Sequence, residues 1–557
     1  MARKYIRRTD ERVPSEVDGI QVNRCANVRC EGFARDPIPG RKRDPIRDHY
    51  GLTGDGGKNG SEPGVNLHCR LCNTYTRILS NRAIAEEYAR ISLRAISEPR
   101  GCGSAACLNA NVTPSADPQA FQKFGQTAAG AARWRCKGCG RTFTAVKSPR
   151  RATRLPGKTE EIFKLLINKS AMRRLCAIAG VHPKVLYHRI GLIHEACSRF
   201  NECSESRITD LKPEILHIAI DRQDHILAWA SASNRNAVSL RAIASAETKT
   251  GYILDQHLNY DPEADGVATE LKARAVKDQD QHRPFRMYGR IWLPSEIQHW
   301  TKANADLEGE FAPVRSAKGA MVRENYSLFA HVLRLRRWID RAPHVQISLD
   351  REPNLDRAIL LAYSDRVRNG TLDAFHVAIS KRVSVQKKKV AIAKAENDLQ
   401  ELRDANPEME DRDLIYAEIA RQRRLVEKLP RNQRWIRHPM PTMNEPERAI
   451  MCLTDMAERP EAQMVWGFAR AGLRSIDRYF MQVRRKISVL ERPISVNEGS
   501  AHSWYGYNAY SPLVAQQLLD IFRVVYNYHL VGKDGKTPAQ RLGLAAKACS
   551  LADILAA

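Results

Sequence analysis

The sequence predicts a multidomain α+β protein in which two small cysteine-bearing modules and a helical module precede a mixed β-sheet domain with a helical insertion. Three observations predict this architecture: a cysteine pattern that occurs twice, helical apolar spacing between residues 159 and 200, and strand-like spacing from residue 213 onward. The chain has 557 residues, which is too many for one hydrophobic core. Because 43% of them are hydrophobic, several domains can each bury a core.

Eight of the thirteen cysteines form two copies of one pattern, Cys-x4-Cys followed after a spacer by Cys-x2-Cys. They are Cys25, Cys30, Cys69 and Cys72 in the first copy and Cys102, Cys107, Cys136 and Cys139 in the second. Four thiolates gathered from two close pairs suit a structural zinc ion, so we expect two zinc ribbons with one Zn²⁺ each. A disulfide framework is the alternative. The basic start without an apolar signal segment and the five further cysteines in helical-looking stretches argue against it.

The charge balance predicts a polyanionic partner. Lys and Arg outnumber Asp and Glu by 89 to 63, which gives a net charge of +26. Each cation that meets a phosphate releases condensed counterions, so nucleic acid is one such partner, although a ribosome or a membrane surface would satisfy the same charge. No run approaches the ~20 apolar residues of a membrane span. We therefore expect a soluble, cytoplasmic protein associated with the nucleoid and not with a membrane.

Residues 151–205 have the pattern of a helix-turn-helix. A basic run at 147–158 leads into helical segments at 160–168, 171–179 and, after Gly180, 184–200. In a helix-turn-helix the last helix enters the DNA major groove, and here it would carry three candidate DNA contacts. These are Lys184, His188 and Arg189. A plain three-helix bundle that links domains is the alternative.

The apolar spacing becomes strand-like after this module. Strands are predicted at 214–221, 225–231, 239–247, 344–350 and 372–379, with helices at 326–339 and 354–367 and a charged helical hairpin at 381–429. Three strands, a helix, a strand, a helix and a strand is the order of the ribonuclease H fold, with a mixed sheet. The hairpin is either a solvated arm for DNA binding or self-association, or a catalytic element.

Two aspartates follow apolar strands of this sheet. Asp221 and Asp350 end strands that are predicted to lie side by side, so both carboxylates would emerge at one edge. Phosphodiester chemistry with two divalent metal ions needs several acids that converge from separate elements. The alternative for each Asp is the start of a turn.

The third acid is expected on a helix after the fifth strand. Asp477 opens the helical segment 475–486, which places basic side chains two turns later, where they could contact a DNA strand. These cations are Arg484, Arg485 and Lys486. Glu498 is the main alternative for the third acid, and Glu445 and Glu447 are weaker candidates.

With these motifs in this order, nearly the whole chain resembles bacterial insertion-sequence transposases of the DDE/D type. The resemblance rests on the two cysteine units, the strand ends Ile220-Asp221 and Leu349-Asp350, the strand 372–377, the helix from Asp477 to Lys486, and the closing Tyr526-Asn-Tyr-His with Lys536-Thr-Pro-Ala. It implies that Asp221, Asp350 and Asp477 hold two Mg²⁺ ions for cleavage and joining of DNA ends. This chain departs from the commonest form because its helix acid is Asp and because long insertions flank Asp350.

The resemblance also implies double-stranded DNA partners, namely transposon ends and a target, and a homodimer or larger assembly on them. The expected domains are 1–100 and 101–150 (zinc ribbons), 151–205 (helix-turn-helix), 206–380 and 436–557 (ribonuclease H-like), and 381–435 (helical insertion). Two other functions stay open. One is a non-catalytic zinc-dependent DNA-binding regulator, and the other is a nuclease that cuts without joining.

Overall fold

The computed structural model describes most of the chain, in segments separated by gaps. These are residues 12–38, 48–54, 65–93, 102, 104, 107–109, 112, 114, 117–126, 132–144, 156–229, 237–297, 319–352, 354–379, 383–454, 459–491, 494–495, 502–503 and 511–556. They form a mixed α+β structure around a seven-stranded sheet, which confirms the predicted class. Within these segments no helix combines the length and apolar character that a bilayer crossing requires.

Each cysteine unit contains a small antiparallel sheet of three strands. The first sheet consists of β1 (Tyr50–Gly54), β2 (Val65–Cys69) and β3 (Thr74–Arg77), and helix α1 (Asn81–Leu93) follows it. The second consists of β4 (Phe121–Gln126), β5 (Ala132–Cys136) and β6 (Thr142–Thr144). In both units the middle strand ends on the first cysteine of the Cys-x2-Cys pair.

Three helices follow the cysteine units, as the apolar spacing predicted. They are α2 (Pro156–Leu166), α3 (Met172–Ala179) and α4 (Pro183–Glu205). Gly180 ends α3 with φ of +63°, a left-handed conformation that glycine adopts without a Cβ clash. The side chain of His182 then caps α4 by accepting from the Lys184 amide at 3.2 Å.

The central sheet joins strands from distant parts of the chain. Its strands are β7 (Ile215–Ala228), β8 (Ala237–Glu247), β9 (Ile253–Leu258), β12 (His344–Asp350), β13 (Leu372–Ala378), β14 (Ile436–Arg437) and β15 (Ala449–Cys452). Two short antiparallel pairs lie outside the sheet: β10 (Tyr260–Asp261) with β11 (Ala320–Met321), and β16 (Ile494–Ser495) with β17 (His502–Ser503). The spatial order is β14, β15, β13, β12, β7, β8, β9. The strands β7, β12 and β13 are mutually parallel, and the other neighbours are antiparallel.

Two of the predicted strands differ from the observed ones. The segments predicted at 214–221 and 225–231 form one long strand, because the polar residues between them continue the ladder with β8, where Asp224 faces Arg241. The sequence missed β9, since half of its side chains are polar. Those side chains are buried but partnered: Asp255 with Arg334, Gln256 with Tyr479 and His257 with His331.

The remaining helices cover the sheet or extend from it. They are α5 (Gly266–Ala275), α6 (Glu324–Arg334), α7 (Arg336–Ile339), α8 (Leu355–Ala362), α9 (Ser364–Arg368), α10 (Val385–Ala405), α11 (Asp411–Val426), α12 (Glu461–Arg470), α13 (Arg474–Lys486), α14 (Pro512–Tyr528), α15 (Pro538–Leu542) and α16 (Leu551–Ala556). Helices α10 and α11 form the predicted hairpin. Most side chains of α10 are exposed, whereas α11 packs against α12.

The two faces of the sheet are covered by different helices. Ser245 bonds to His331 of α6 at 2.7 Å on one face. Gln256 accepts a hydrogen bond from Tyr479 of α13 on the other face, because successive side chains of a strand alternate. Ala244, which pairs with both Asp221 and Gln256, shares the face that α13 covers.

The first cysteine unit is fused to this domain. Its helix α1 packs along α6, and its apolar residues Val22, Phe33 and Ile84 belong to the same hydrophobic cluster as the central sheet. Buried Arg357 of α8 donates to the carbonyl oxygens of Val22 (2.8 Å) and Arg77 (2.5 Å). The cysteines of each unit lie in a small cluster of their own, with Tyr50, Leu67 and Cys69 in the first unit and Phe121 and Cys136 in the second. The two copies differ because only the first has flanking residues in the cluster of the central sheet.

Candidate metal centres and basic cleft

Both sets of four cysteines converge, and the described residues contain no other compact group of at least three metal-ligating side chains. In the first set the Sγ–Sγ distances are 3.6 Å for Cys25–Cys72 and 3.8 Å for Cys30–Cys69. In the second they are 3.7 Å for Cys107–Cys136 and 3.9 Å for Cys102–Cys139. A tetrahedron with Zn–S bonds of about 2.3 Å has edges of about 3.8 Å, so both sets fit a structural zinc ion.

Local hydrogen bonds favour the thiolate of Cys72 in the first cluster, whereas burial raises the pKa of Cys25 and Cys30. Burial disfavours the charged form of Cys72, but hydrogen bonds from Thr74, whose hydroxyl lies 3.1 Å from Sγ, outweigh it and lower the pKa of Cys72 to about 6. In the first unit, buried Tyr50 braces the loop that carries Cys25: its hydroxyl accepts from the Cys25 amide at 2.8 Å and donates to the Arg35 carbonyl at 2.8 Å. The cysteine scaffold is therefore ordered around the metal position.

Asp221 and Asp350 lie side by side on adjacent strands. In the parallel ladder between β7 and β12, Ile220 pairs with Leu349, so the two aspartates occupy the next positions. Residues at matching positions of neighbouring strands, about 4.8 Å apart, present their side chains on the same face. Asp350 ends β12, as predicted. Asp221 lies within β7 and not at its end, because that strand continues to Ala228.

Helix α13 lies over the face that carries both aspartates. At its start the Gly472 amide donates to the Ser348 hydroxyl (3.3 Å), two residues before Asp350. Farther along the helix, the Phe480 carbonyl accepts a hydrogen bond from the side-chain amide of Gln223, two residues after Asp221, at 3.4 Å. Because residues i and i+2 of a strand share a face, α13 spans the region above the aspartate pair.

The candidates for the third acid occupy different environments. Asp477 lies in the first turn of α13 and is half-buried. Glu445 is buried, accepts from the Leu473 amide at 2.9 Å, and pairs with Arg448 at 3.0 Å, so it is engaged at the start of the same helix. Glu447 is exposed, and Glu498 lies outside the described residues.

The three aspartates do not form a closed trio in which all carboxylate oxygens lie within 4.8 Å of one another. A two-metal site does not require one, because its ions are about 3.5–4 Å apart and acids bound to different ions are farther from each other. Hard carboxylate oxygens from adjacent strands are ligands that suit Mg²⁺ or Mn²⁺. Asp221 and Asp350 occupy neighbouring positions on the sheet, and Asp477 lies in the first turn of the helix above them.

Asp477 also lines a large basic cleft with a volume of about 1420 Å³. Nine cationic side chains line it: Lys249, Lys388, Arg448, Arg470, Arg474, Arg478, Lys486, Lys533 and Arg541. Only three acids do so: Glu445, Asp477 and Asp534. Sequence reasoning singled out Lys486 alone among the nine cations. Arg474 and Arg478 lie on the same helix, and the other six come from segments that are far apart in the chain. This concentration of positive charge suits a phosphate backbone.

The predicted DNA contacts on the third helix separate into two groups. Lys184 and His188 of α4 are exposed and one turn apart, so they share a surface. Arg189 is buried and donates to the Thr159 hydroxyl at 2.7 Å, which ties α4 to α2. Arg189 therefore does not share that surface.

The predicted DNA contacts on α13 also differ from one another. Arg485 is exposed, Lys486 faces the cleft, and Arg484 contacts Gln223.

Buried histidines make the stability of the fold depend on pH. Burial lowers the pKa of His217 and His331 to about 4 and that of His225 to about 3. In the unfolded chain the same histidines bind protons at their ordinary pKa near 6.5. The free energy of unfolding is therefore undiminished above pH 6.5 and decreases as the pH falls toward 4. We expect His331 alone to account for a decrease of about 3 kcal/mol in the free energy of unfolding.

Urea unfolding at several pH values between 7.5 and 4 measures this decrease. The variant His331→Gln removes one titrating group and should flatten the pH dependence, whereas His188→Gln, at an exposed position, should leave it unchanged. An identical pH dependence in His331→Gln and the parent chain would contradict the assignment.

The cysteine clusters, the aspartate pair under α13 and the basic cleft are thus the sites that the described residues form. Comparison with known proteins does not assign the chain to a family. No family model, curated protein or solved structure matches the chain.

Proposed function

We propose that the chain is a DNA transposase that cuts and joins DNA ends with two divalent metal ions. The observation that carries the proposal is the register of β7 and β12, which puts Asp221 and Asp350 at neighbouring positions on one face of the sheet. The sheet order supports it. Its first five long strands in the chain are β7, β8, β9, β12 and β13, and they lie in the order β9, β8, β7, β12, β13, with β7, β12 and β13 parallel. This is the order expected of a ribonuclease H-like domain.

In this proposal Asp221, Asp350 and Asp477 hold the ions, which would be Mg²⁺. When bound, these ions supply a nucleophile at neutral pH and steady the charge on the leaving oxygen. The protein supplies fixed ligands: the Arg222 amide donates to an Asp221 oxygen at 2.8 Å, and the Arg351 amide to an Asp350 oxygen at 2.7 Å. Those bonds orient the carboxylates before any substrate arrives.

The basic cleft would hold the DNA backbone next to Asp477, the one of these three acids that lines it. It lies along α13, so phosphates bound by its cations would pass beside Asp477. The exposed residues Lys184 and His188 of α4 support a helix-turn-helix role in end recognition. The two cysteine clusters would each bind one structural Zn²⁺.

Removing single cations from the cleft should weaken DNA binding through the phosphate backbone. We expect Arg470→Gln, Arg478→Gln and Lys533→Gln each to reduce the slope of log affinity against log salt by about 0.9 for duplex DNA, since each loses one released counterion. Fluorescence anisotropy with a labelled duplex at several salt concentrations measures the slope.

The matched control is Arg274→Gln, which removes an exposed arginine from α5, where Arg274 pairs with Glu270 and does not line the cleft. This variant should keep the parental slope. If the cleft variants also keep it, the cleft does not bind the DNA backbone. Binding with normal salt dependence but no metal-dependent cleavage in the parent chain would favour a regulator over an enzyme.

A further inference from the structure

The outer face of the second cysteine unit is built differently from its inner face. On the inner face, Phe121 and Cys136 are buried, and Trp134 and Phe143 pack against them. The outer face carries Phe124, whose side chain is 45% exposed, beside Arg133 and Arg135 of the neighbouring strand. An exposed aromatic ring between two cations has no role in the unit's own core.

A bulge in β4 presents the ring. The register between β4 and β5 shifts between Lys123 and Gln126, and Gly125 adopts a φ of +79° there. A bulge with a left-handed glycine bends the strand and changes the direction of the adjacent side chain. The guanidinium carbons of Arg133 and Arg135 each lie 5.8 Å from the ring centroid, close to the ~6 Å limit of a cation–π contact, so both cations lie beside the ring.

The charge of this unit complements a nucleic acid. Residues 101–150 contain seven Lys or Arg and a single acid, Asp117. A nucleobase can stack on an aromatic ring only where it is not already paired and stacked in a duplex, and arginines beside the ring can take the flanking phosphates. The unit also has a hydrophobic cluster of its own, so this face is not needed to cover the central domain.

We propose that the outer face of the second cysteine unit, formed by Phe124, Arg133 and Arg135, is a binding platform for an unpaired DNA strand. One base stacks on Phe124, and the two arginines contact the phosphates on either side. The proposal extends the proposed transposase function, on which it rests, because it assigns single-stranded DNA at an opened end to a site separate from the aspartates and from the basic cleft.

The test is binding of the full-length, zinc-loaded chain to a fluorescein-labelled 20-nucleotide strand of mixed sequence and to its duplex, in buffer without magnesium. We expect Phe124→Ala to weaken single-strand binding about tenfold and to leave duplex binding nearly unchanged, while Phe124→Tyr, which keeps a stacking ring, retains parental affinity. Arg133→Gln and Arg135→Gln should each reduce the single-strand salt slope by about 0.7.

Lys123→Gln is the matched control, because it removes one exposed charge from the opposite face of the same strand. Its effect should be smaller than that of either arginine variant. Circular dichroism and a zinc content of two per chain exclude unfolding. Parental single-strand binding by Phe124→Ala overturns the proposal, and so does an equal loss for duplex DNA, which would make Phe124 a duplex contact. Since no magnesium is present, these results are independent of whether the aspartates catalyse cleavage.

Discussion

The variants Asp221→Asn and Asp350→Asn are each expected to reduce magnesium-dependent DNA cleavage by about a thousandfold or more, because each removes an anionic metal ligand. Asparagine preserves the size of the side chain, and Asp221 is buried, so the local packing is retained. Nicking of a supercoiled plasmid in Mg²⁺ or Mn²⁺ measures cleavage. Joining of precut oligonucleotide ends to the plasmid measures strand transfer, and cleavage without joining in the parent chain would favour a nuclease.

The control for this prediction lies on the same strand. Asp224 is exposed on the opposite face of β7 and pairs with Arg241 at 2.9 Å. Asp224→Asn should therefore keep full cleavage activity. The catalytic assignment fails if Asp221→Asn or Asp350→Asn cleaves as well as Asp224→Asn. Comparing Asp477→Asn with Glu445→Gln in the same assay then identifies the third ligand, since only a metal ligand should match the loss seen for the pair.

Loss of the first zinc site should destabilise the whole central domain. The cysteines of the first unit lie in their own small cluster, but residues beside them, among them Val22 and Phe33, belong to the cluster of the sheet, and the backbone of the unit is held by Arg357. A structural zinc site contributes about 10–16 kcal/mol to the folding of small zinc domains, so Cys69→Ser should lower the main thermal transition by about 10 °C or more. Differential scanning calorimetry, together with a zinc content that falls from two to one, measures the effect.

Cys136→Ser provides the comparison in the second unit. It should also reduce the zinc content by one, yet the main transition should stay in place because none of the described residues of the second unit belongs to the hydrophobic cluster of the sheet. Equal shifts in both variants would show that the two units are anchored alike. An unchanged main transition in Cys69→Ser would contradict the shared core.

The cysteine spacing predicted its sites well because ligand geometry is local. Close pairs such as Cys69 and Cys72 can meet a second pair in few ways, and both clusters formed as expected. The strand 344–350 was predicted with its observed ends, since its apolar residues continue along its whole length. Helices and strands with a long, regular apolar periodicity are the part of a fold that can be predicted most reliably from a sequence.

Other features depend on contacts between distant residues. The strand β9 escaped prediction because Asp255 and His257 are polar residues buried by partners on other helices. Arg189 looked like a surface cation, but its position on α4 turns it toward Thr159. The cations of the basic cleft, among them Lys249 and Arg541, come together only when the sheet assembles. The sequence shows their charge and not their neighbours.

The separate hydrophobic cluster of the second unit has a practical consequence for engineering. A module that carries its own core and its own metal ligands can be exchanged between proteins without redesign of the host. If the proposed function holds, residues 102–144 are the natural segment to replace in order to direct the chain to a different nucleic acid. The first unit offers no such freedom, because any graft there would have to reproduce the complementary surface that meets α6 and α8.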